Sequence, residues 1–230
     1  MRLLHLVAPV FAANTYILFE DDRALLVDPG AGHKVQIERA LSDNGLELAA
    51  VLLTHGHPDH VWDAAQIAAA LPVYLPGPDM YRMEDPLSPT GGVRSQLTHL
   101  VTTPWQKPRN LQPLPPEMLS SGYELVPGVP LRAVPAPGHT EGSTIFLGQG
   151  PLEGLAKSDL FALAGDVIFA GSVGRADLPG GDSQQMMHTL RTLQNIINPE
   201  TLLLPGHGPI TSMGTENNTN PYFRQARIDG

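Results

Sequence analysis

The segment Thr-His-Gly-His-Pro-Asp-His at 54–60 places three imidazoles and a carboxylate within six residues. Neutral imidazole is the commonest metal-binding side chain, and a carboxylate adds a harder oxygen ligand. At the end of a strand, residues i and i+2 point to the same side, so His55 and His57 can converge on one ion. Asp59 and His60 lie on the turn into the next helix, from which they can reach a second ion. The segment therefore predicts a metal site and favours a site for two ions.

A histidine-rich, solvated turn without metal is the alternative interpretation of this segment. Such a turn would need neither the apolar run that precedes it, at 49–53, nor further histidines in glycine-containing turns. The chain has both, and its three later turns are Pro-Gly-His-Thr at 137–140, Gly-Asp at 165–166 and Pro-Gly-His-Gly at 205–208. Glycine permits the tight backbone that turns a side chain into the crevice at the strand ends. Together the four turns favour a metal centre.

Composition narrows the class of protein. The chain has 230 residues, and we interpret 1–230 as a single domain. Its net charge of −9 disfavours nonspecific binding to nucleic acid. The absence of cysteine excludes disulfides and thiolate nucleophiles. No apolar run approaches the ~18 residues of a membrane span. We interpret the N-terminal segment as a first strand rather than a signal peptide, and we expect a cytoplasmic protein with no membrane partner.

Strand and helix signals alternate along the chain and indicate sheets covered by helices. Periodicity and turn residues predict strands at 15–19, 24–27, 50–53, 73–75, 131–134, 143–147, 160–164 and 201–204. The same signals predict helices at 34–43, at about 60–70 and at 183–197, the last with Asp182 as its cap.

The stretch from Pro76 to Pro116 differs from the rest, because prolines punctuate it and no period is sustained. A loop of this length inside a compact domain is usually functional or disordered. We interpret 76–116 as a loop insertion that folds over the cleft and shapes the substrate pocket. The alternative is a surface excursion away from the metals.

The motifs at 54–60, 137–140, 165–166 and 205–208 resemble, in this order, those of the metallo-β-lactamase superfamily. Val-Asp-Pro-Gly at 27–30 is similar to the leading aspartate motif of that family, and the resemblance extends from about residue 14 to 210. It implies an α/β fold, the four-layer αβ/βα sandwich of two mixed β-sheets flanked by helices. The metals are then expected at one edge, between the sheets.

The resemblance also implies a role for each ligand residue. His55, His57 and His139 are expected to bind the first metal. The second metal is expected to be bound by Asp59, His60 and His207, and Asp166 is expected to bridge the two metals. Asp28 is expected to orient ligands from behind the site. Such a nitrogen and oxygen set suits two divalent ions, in the first place zinc, although iron and manganese also fit.

Within the superfamily, the segment 171–182 is similar to a signature of glyoxalase II-like hydrolases, and so is the segment 215–223. Those enzymes split the thioester of a small thiol and a hydroxy acid. On this basis Arg175, Tyr222 and Arg224 are candidates for substrate binding. Arg175 can hold a carboxylate with its planar fork, or it can pin its own loop.

Two departures from that branch leave the carrier thiol open. His60 is followed by Val-Trp-Asp at 61–63, where many glyoxalases carry a glycine, and the segment that holds glutathione in the larger enzymes does not follow 223. We therefore expect a small-molecule thioester as the partner, without assigning its thiol.

The expected chemistry is hydrolysis by a metal-bridging hydroxide, since bound divalent ions can lower the pKa of water to about 7. Asp59 and Asp166 are then the catalytic carboxylates, and a thiolate leaves without needing a proton. The alternative is a mono-iron persulfide dioxygenase of the same fold, which would use His55, His139 and Asp166. The complete second set of ligands favours hydrolysis over this alternative.

Overall fold

Two mixed β-sheets form the centre of the molecule in the computed structural model, which describes residues 1–88, 99–101, 103–153 and 158–228. The first sheet contains, in spatial order, β1 (Arg2–Val7), β2 (Asn14–Glu20), β3 (Arg23–Val27), β4 (Glu47–Leu52), β5 (Val73–Leu75) and β6 (Leu111–Pro113). The first three strands are antiparallel, and β3 to β6 run parallel.

The second sheet is formed from the later part of the chain. In spatial order it contains β7 (Tyr123–Glu124), β8 (Pro130–Pro135), β9 (Thr144–Gln149), β10 (Leu160–Gly165), β13 (Leu202–Pro205) and β14 (Thr211–Ser212), and a separate short ribbon pairs β11 (Ile168–Phe169) with β12 (Ser172–Val173). Strands β10 and β13 are parallel, and the other pairs of this sheet are antiparallel.

Helices cover the outer faces of both sheets. They are α1 (Lys34–Asp43), α2 (Pro58–Val61), α3 (Ala64–Ala68), α4 (Pro116–Ser120), α5 (Ser183–Ile196), α6 (Met213–Thr219) and α7 (Pro221–Ile228), and a 3₁₀ helix spans Gly77–Met83. None of the helices in the described ranges is both long and apolar enough to cross a membrane.

Alternating side chains of the strands build three hydrophobic layers. In β2, Leu18 faces the cluster between the two sheets, which includes Phe146 of β9, whereas its neighbour Ile17 faces the cluster beneath α1 and α3. On the far side of the second sheet, Leu203 packs against Leu190 of α5. Full burial of each such side chain contributes ~1.5–3 kcal/mol. The helix–sheet–sheet–helix order confirms the predicted four-layer αβ/βα sandwich.

The prediction of one continuous helix at about 60–70 is wrong, because the chain forms two short helices there, α2 and α3. The backbone N–H of Asp63 donates to Pro29 O at 3.2 Å, so it does not continue the ladder of α2. The Asp63 carboxylate accepts from the backbone N–H groups of His33 (2.6 Å) and Lys34 (2.8 Å). These bonds tie the start of α1 to the break between the two helices.

The stretch 76–116 is not the continuous loop that its prolines predict. It contains the 3₁₀ helix at Gly77–Met83, and β6 pairs parallel to β5 and so extends the first sheet. The backbone carbonyl of Thr103 accepts from Trp62 Nε1 at 3.0 Å. Residues 89–98 and 102, which complete the predicted lid, lie outside the described residues.

Candidate metal centre

Four turns at one edge of the two sheets bring the predicted ligands together. The first turn follows β4 and carries His55 and His57, and Asp59 and His60 lie in α2 directly after it. The other turns carry His139 after β8, Asp166 after β10 and His207 after β13. Strand alternation and strand order therefore explain how residues more than 150 positions apart share one site.

The first group consists of His55, His57 and His139. His139 Nε2 lies 2.8 Å from His57 Nδ1 and 3.2 Å from His55 Nε2. One nitrogen from each of the three rings lies within 4.8 Å of the other two. This spacing suits three nitrogen ligands around one cation.

Hydrogen bonds on the outer side of two of these rings fix which nitrogen carries the proton. His139 Nδ1 donates to Arg175 O at 2.6 Å. Thr54 Oγ1 donates to the Asp28 carboxylate at 2.7 Å, so it accepts from His55 Nδ1 at 3.0 Å. Both Nε2 atoms then present lone pairs to each other. Facing lone pairs repel unless a cation lies between them, so the donor set fits a metal ion.

The second group consists of Asp59, His60 and His207. His207 Nε2 lies 3.3 Å from Asp59 Oδ2 and 3.2 Å from His60 Nε2. Asp166 lies between the two groups, with Oδ2 at 3.5 Å from both His139 Nε2 and His207 Nε2, and Oδ1 at 3.3 Å from His60 Nε2. Its position is suited to contact ions in both groups.

Burial and neighbouring carboxylates set the charge of the imidazoles. Burial lowers the pKa of His57 to about 3 and lowers the pKa of His55 well below its usual range. Both rings are neutral at pH 7, which is the form that binds a metal. Burial opposes a charge on His60 as well, but the carboxylates of Asp166 and Asp59 outweigh it and raise the pKa of His60 well above its usual range. A cation in the second group would neutralise this excess of carboxylate.

Asp28 lies behind the site, where the resemblance implies an orienting residue. Its Oδ2 atom is 3.1 Å from His60 Nδ1, and its carboxylate also accepts from the backbone N–H of Thr54 at 2.8 Å. These contacts aim His60 Nε2 at the second group. Asp28 adopts φ +50°, a strained conformation for a residue other than glycine.

The turn that carries His207 requires a glycine at position 206. A Cβ atom at this position would lie 2.1 Å from Asp166 Oδ1 and 2.8 Å from His60 Cε1. Backbone and ligands therefore approach more closely than any side chain would allow.

We expect Gly206→Ala to lower the affinity for zinc at least tenfold, because the added methyl displaces two candidate ligands. Competition of the purified protein with a chromophoric chelator measures this affinity. Gly77→Ala is the matched control, since no described atom lies within 4 Å of a Cβ built there. Equal affinities for Gly206→Ala and the control would contradict the arrangement described for Asp166 and His60.

The start of the segment at 171–175 is bonded to Glu216, a residue that sequence patterns did not assign to the site. Glu216 is buried, and its Oε2 atom accepts from Gly171 N and from Asn220 Nδ2, both at 2.8 Å. Asn220 Nδ2 also donates to Ser172 O at 2.9 Å. The segment held in this way ends at the carbonyl of Arg175 that accepts from His139. The 215–223 signature therefore anchors the start of the segment that ends at that carbonyl.

Asn14 is a second residue that the sequence analysis missed. Its Nδ2 atom donates to Pro205 O and Gly208 O, both at 2.9 Å, and its backbone N–H donates to Gly206 O at 2.7 Å. Asn14 thus fixes the turn of His207. The hairpin tip before it carries Phe11 with φ +57° and a side chain that is partly exposed.

The three candidate substrate residues do not share one environment. Arg175 and Tyr222 line a cavity of about 400 Å³ beside the segment at 173–177. The fork of Arg175 pairs with Asp177, with Nε to Oδ1 and Nη2 to Oδ2 both at 2.7 Å, so the loop-pinning alternative describes this structure. Arg224 donates instead to Asn218 O at 2.8 Å. A role in substrate binding stays a prediction for all three.

Comparison with known proteins gives consistent matches over nearly the whole chain. The family model described as the metallo-beta-lactamase superfamily matches residues 8–207. The chain is 32% identical to the probable metallo-hydrolase YqgX of Bacillus subtilis, over 94% of each chain. It is 28% identical to the hydroxyacylglutathione hydrolase GloC of Haemophilus influenzae, over 93% of each chain.

A solved structure shares both the fold and part of the sequence. The protein TTHA1623, solved in a di-iron-bound form, is 30% identical with a TM-score of 0.73, and the match covers 95% of this chain and 99% of that one. With the family model covering most of its residues and the two sheets arranged as that fold requires, the chain belongs to the metallo-β-lactamase superfamily.

Proposed function

We propose that this protein is a metal-dependent hydrolase that cleaves the thioester of a small thiol with the help of two divalent ions. The observation that carries the proposal is the presence of two complete ligand groups with Asp166 between them. Two-metal sites of this kind serve hydrolytic displacements. Zinc suits the nitrogen and oxygen donors, and the di-iron form of TTHA1623 supports iron as the alternative metal.

The ions, when bound, would lower the pKa of water and supply hydroxide at neutral pH. The chain's own residues prepare the site for this chemistry. Arg175 O holds His139 and Thr54 Oγ1 holds His55 in one tautomer each, and Asp28 orients His60. Asp59 and Asp166 supply the carboxylate charge of the second group. A thiolate leaving group needs no proton, so the mechanism requires no further acid from the chain.

Two observations support a thioester as the substrate. The relative GloC bears the name of a hydroxyacylglutathione hydrolase. In addition, the segment at 171–182, which resembles glyoxalase II-like enzymes, contacts the site through the carbonyl of Arg175. We propose a small-molecule thioester rather than a nucleic acid as the substrate, because the net charge of −9 offers little attraction for nucleic acid.

We further propose that Arg175 exchanges its pairing with Asp177 for a carboxylate at the carrier end of the substrate, in the cavity that it lines with Tyr222. Arg224, on the same helix as Tyr222, is the third proposed substrate residue. We expect Arg175→Ala to raise KM about tenfold for a thioester whose thiol bears a carboxylate, with kcat unchanged. Steady-state kinetics with a matched neutral thiol isolates the charge, since KM for that substrate should not change. Arg227→Ala is a control, because Arg227 donates to Asn217 O at the protein surface. A rise in KM for both thiols would contradict carboxylate binding by Arg175.

Thioester cleavage and persulfide-dependent oxygen uptake, measured on the same purified protein, test the proposed reaction against its alternative. The dioxygenase reading needs one iron held by His55, His139 and Asp166. It gives no role to the second group, in which His207 and Asp59 converge at 3.3 Å. We expect thiol release from a hydroxyacyl thioester without oxygen consumption. Oxygen uptake with a persulfide and no thioester cleavage would replace the hydrolase proposal.

A further inference from the structure

The 3₁₀ helix at Gly77–Met83 directs two charged side chains into the protein. A 3₁₀ helix has three residues per turn, so side chains at i and i+3 lie one above the other. Asp79 and Arg82 occupy such positions, and both side chains are fully buried. The distance from Arg82 Nε to Asp79 Oδ1 is 3.4 Å. Burial of a charged pair is costly unless further hydrogen bonds satisfy it, so the partners of these two groups are informative.

Three donors on two ligand-bearing loops satisfy the Asp79 carboxylate. Gly56 N donates to Oδ2 at 2.7 Å, and Gly56 lies between His55 and His57. Thr140 Oγ1 donates to Oδ2 at 2.8 Å, and Gly142 N donates to Oδ1 at 2.8 Å. Thr140 follows His139 directly. One buried carboxylate therefore joins the two loops that carry the entire first group.

Arg82 extends the same connection to a third loop. Its Nη2 atom donates to Glu141 Oε2 at 2.5 Å and to Pro179 O at 3.1 Å. Close packing accompanies these bonds, since a Cβ at Gly56 would lie 2.7 Å from Arg82 Cδ, and a Cβ at Gly142 would lie 2.6 Å from Asp79 Cγ. The glycines of both loops let the backbone reach the pair.

We propose that Asp79 is a positioning residue that sets the distance between the His55–His57 loop and the His139 loop, and thereby the affinity of the first metal group. Among the residues that the structure describes, no hydrogen bond joins Asp79 to a candidate ligand side chain, so Asp79 acts through Gly56, Thr140 and Gly142. The second group lies on the other side of the site, where Asp28 and Asn14 provide the corresponding support. The proposal rests on the metal-ligand assignment and is independent of the thioester assignment.

The test compares the two zinc affinities of the full-length protein. Metal-free protein is titrated with zinc against a chromophoric chelator, and the two dissociation constants are fitted for the natural chain and for Asp79→Asn. We expect the substitution to raise the dissociation constant of one zinc ion by tenfold to a hundredfold and to change that of the other by less than threefold. An effect of this size follows the loss of an outer partner of a ligand. Loss of general stability would weaken both ions alike.

Matched variants separate positioning from folding. Asp63→Asn removes a carboxylate that also accepts two backbone N–H groups, yet those belong to α1 rather than to a ligand loop, so both zinc constants should stay unchanged. If Asp79→Asn does not fold, Thr140→Val decides the matter, because it removes one donor to Asp79 and keeps the charge. Thr140→Ser should restore the natural affinity. Unchanged zinc constants in folded Asp79→Asn or in Thr140→Val, or equal weakening of both ions, would overturn the proposal. If the natural chain shows no measurable zinc binding, the metal assignment is refuted instead.

Discussion

Asp59→Ala is expected to lower thioester turnover by at least about a hundredfold while the protein stays folded. Asp59 Oδ2 lies 3.3 Å from His207 Nε2, so its loss leaves the second group with two imidazoles and no carboxylate of its own. A hundredfold loss corresponds to ~2.7 kcal/mol of activation free energy. By contrast, an acidic residue in the first turn of a helix contributes only ~0.3–1 kcal/mol to stability.

Glu117→Ala is the matched control for this variant. Asp59 follows Pro58 in the first turn of α2, and Glu117 follows Pro116 in the first turn of α4, away from the ligand turns. The two substitutions remove carboxylates from equivalent helix positions, so in the metal-free proteins they should change the unfolding midpoint by similar small amounts. Only Asp59→Ala should change kcat and zinc content. Near-normal turnover of Asp59→Ala at saturating zinc would contradict the role assigned to the second group.

Removal of the metal is expected to lower the stability of the natural protein more than any single surface substitution. A ligand present at a thousandfold above its Kd stabilises the folded state by ~4 kcal/mol per site. For a chain of this length, that change corresponds to a fall of ~8–16 °C in Tm for each ion. Thermal unfolding with and without a strong chelator measures the effect.

The physical reason lies in the buried groups that converge at the site. His55 and His139 present Nε2 lone pairs 3.2 Å apart, and the carboxylate of Asp166 is buried beside them. Without a cation these groups repel or remain unsatisfied. The chelator previously saturated with zinc is the control, and it should leave Tm unchanged. Equal melting of the stripped and the loaded protein would show that the cluster needs no ion.

The turns that carry the candidate ligands were predictable from the sequence, because local patterns determine where they lie. The apolar run before His55 forms β4, and glycine-containing turns after β8, β10 and β13 carry the candidate ligands His139, Asp166 and His207. Asp182 accepts from the backbone N–H groups of Gln184 and Gln185, so the predicted helix cap is confirmed. Each of these features depends on residues a few positions apart.

Features that depend on distant contacts were not predictable from local patterns. The break between α2 and α3 arises because Asp63 N bonds to Pro29 O, 34 positions away along the chain. Asp79 lies in a proline-rich stretch whose lack of period indicated a loop, although it accepts from residues on two other loops. The role of Glu216 likewise requires Gly171, 45 positions earlier, to be folded against it. Spacing within the sequence carries no signal for such partners.

The most direct test of the two-metal hydrolase is a titration of the metal-free protein with zinc, with the rate of thiol release from a hydroxyacyl thioester as the readout. The account predicts that activity reaches its plateau at two zinc ions per chain, because both ligand groups contribute to the reaction. A plateau at one ion, with no further change when a second ion binds, would contradict it.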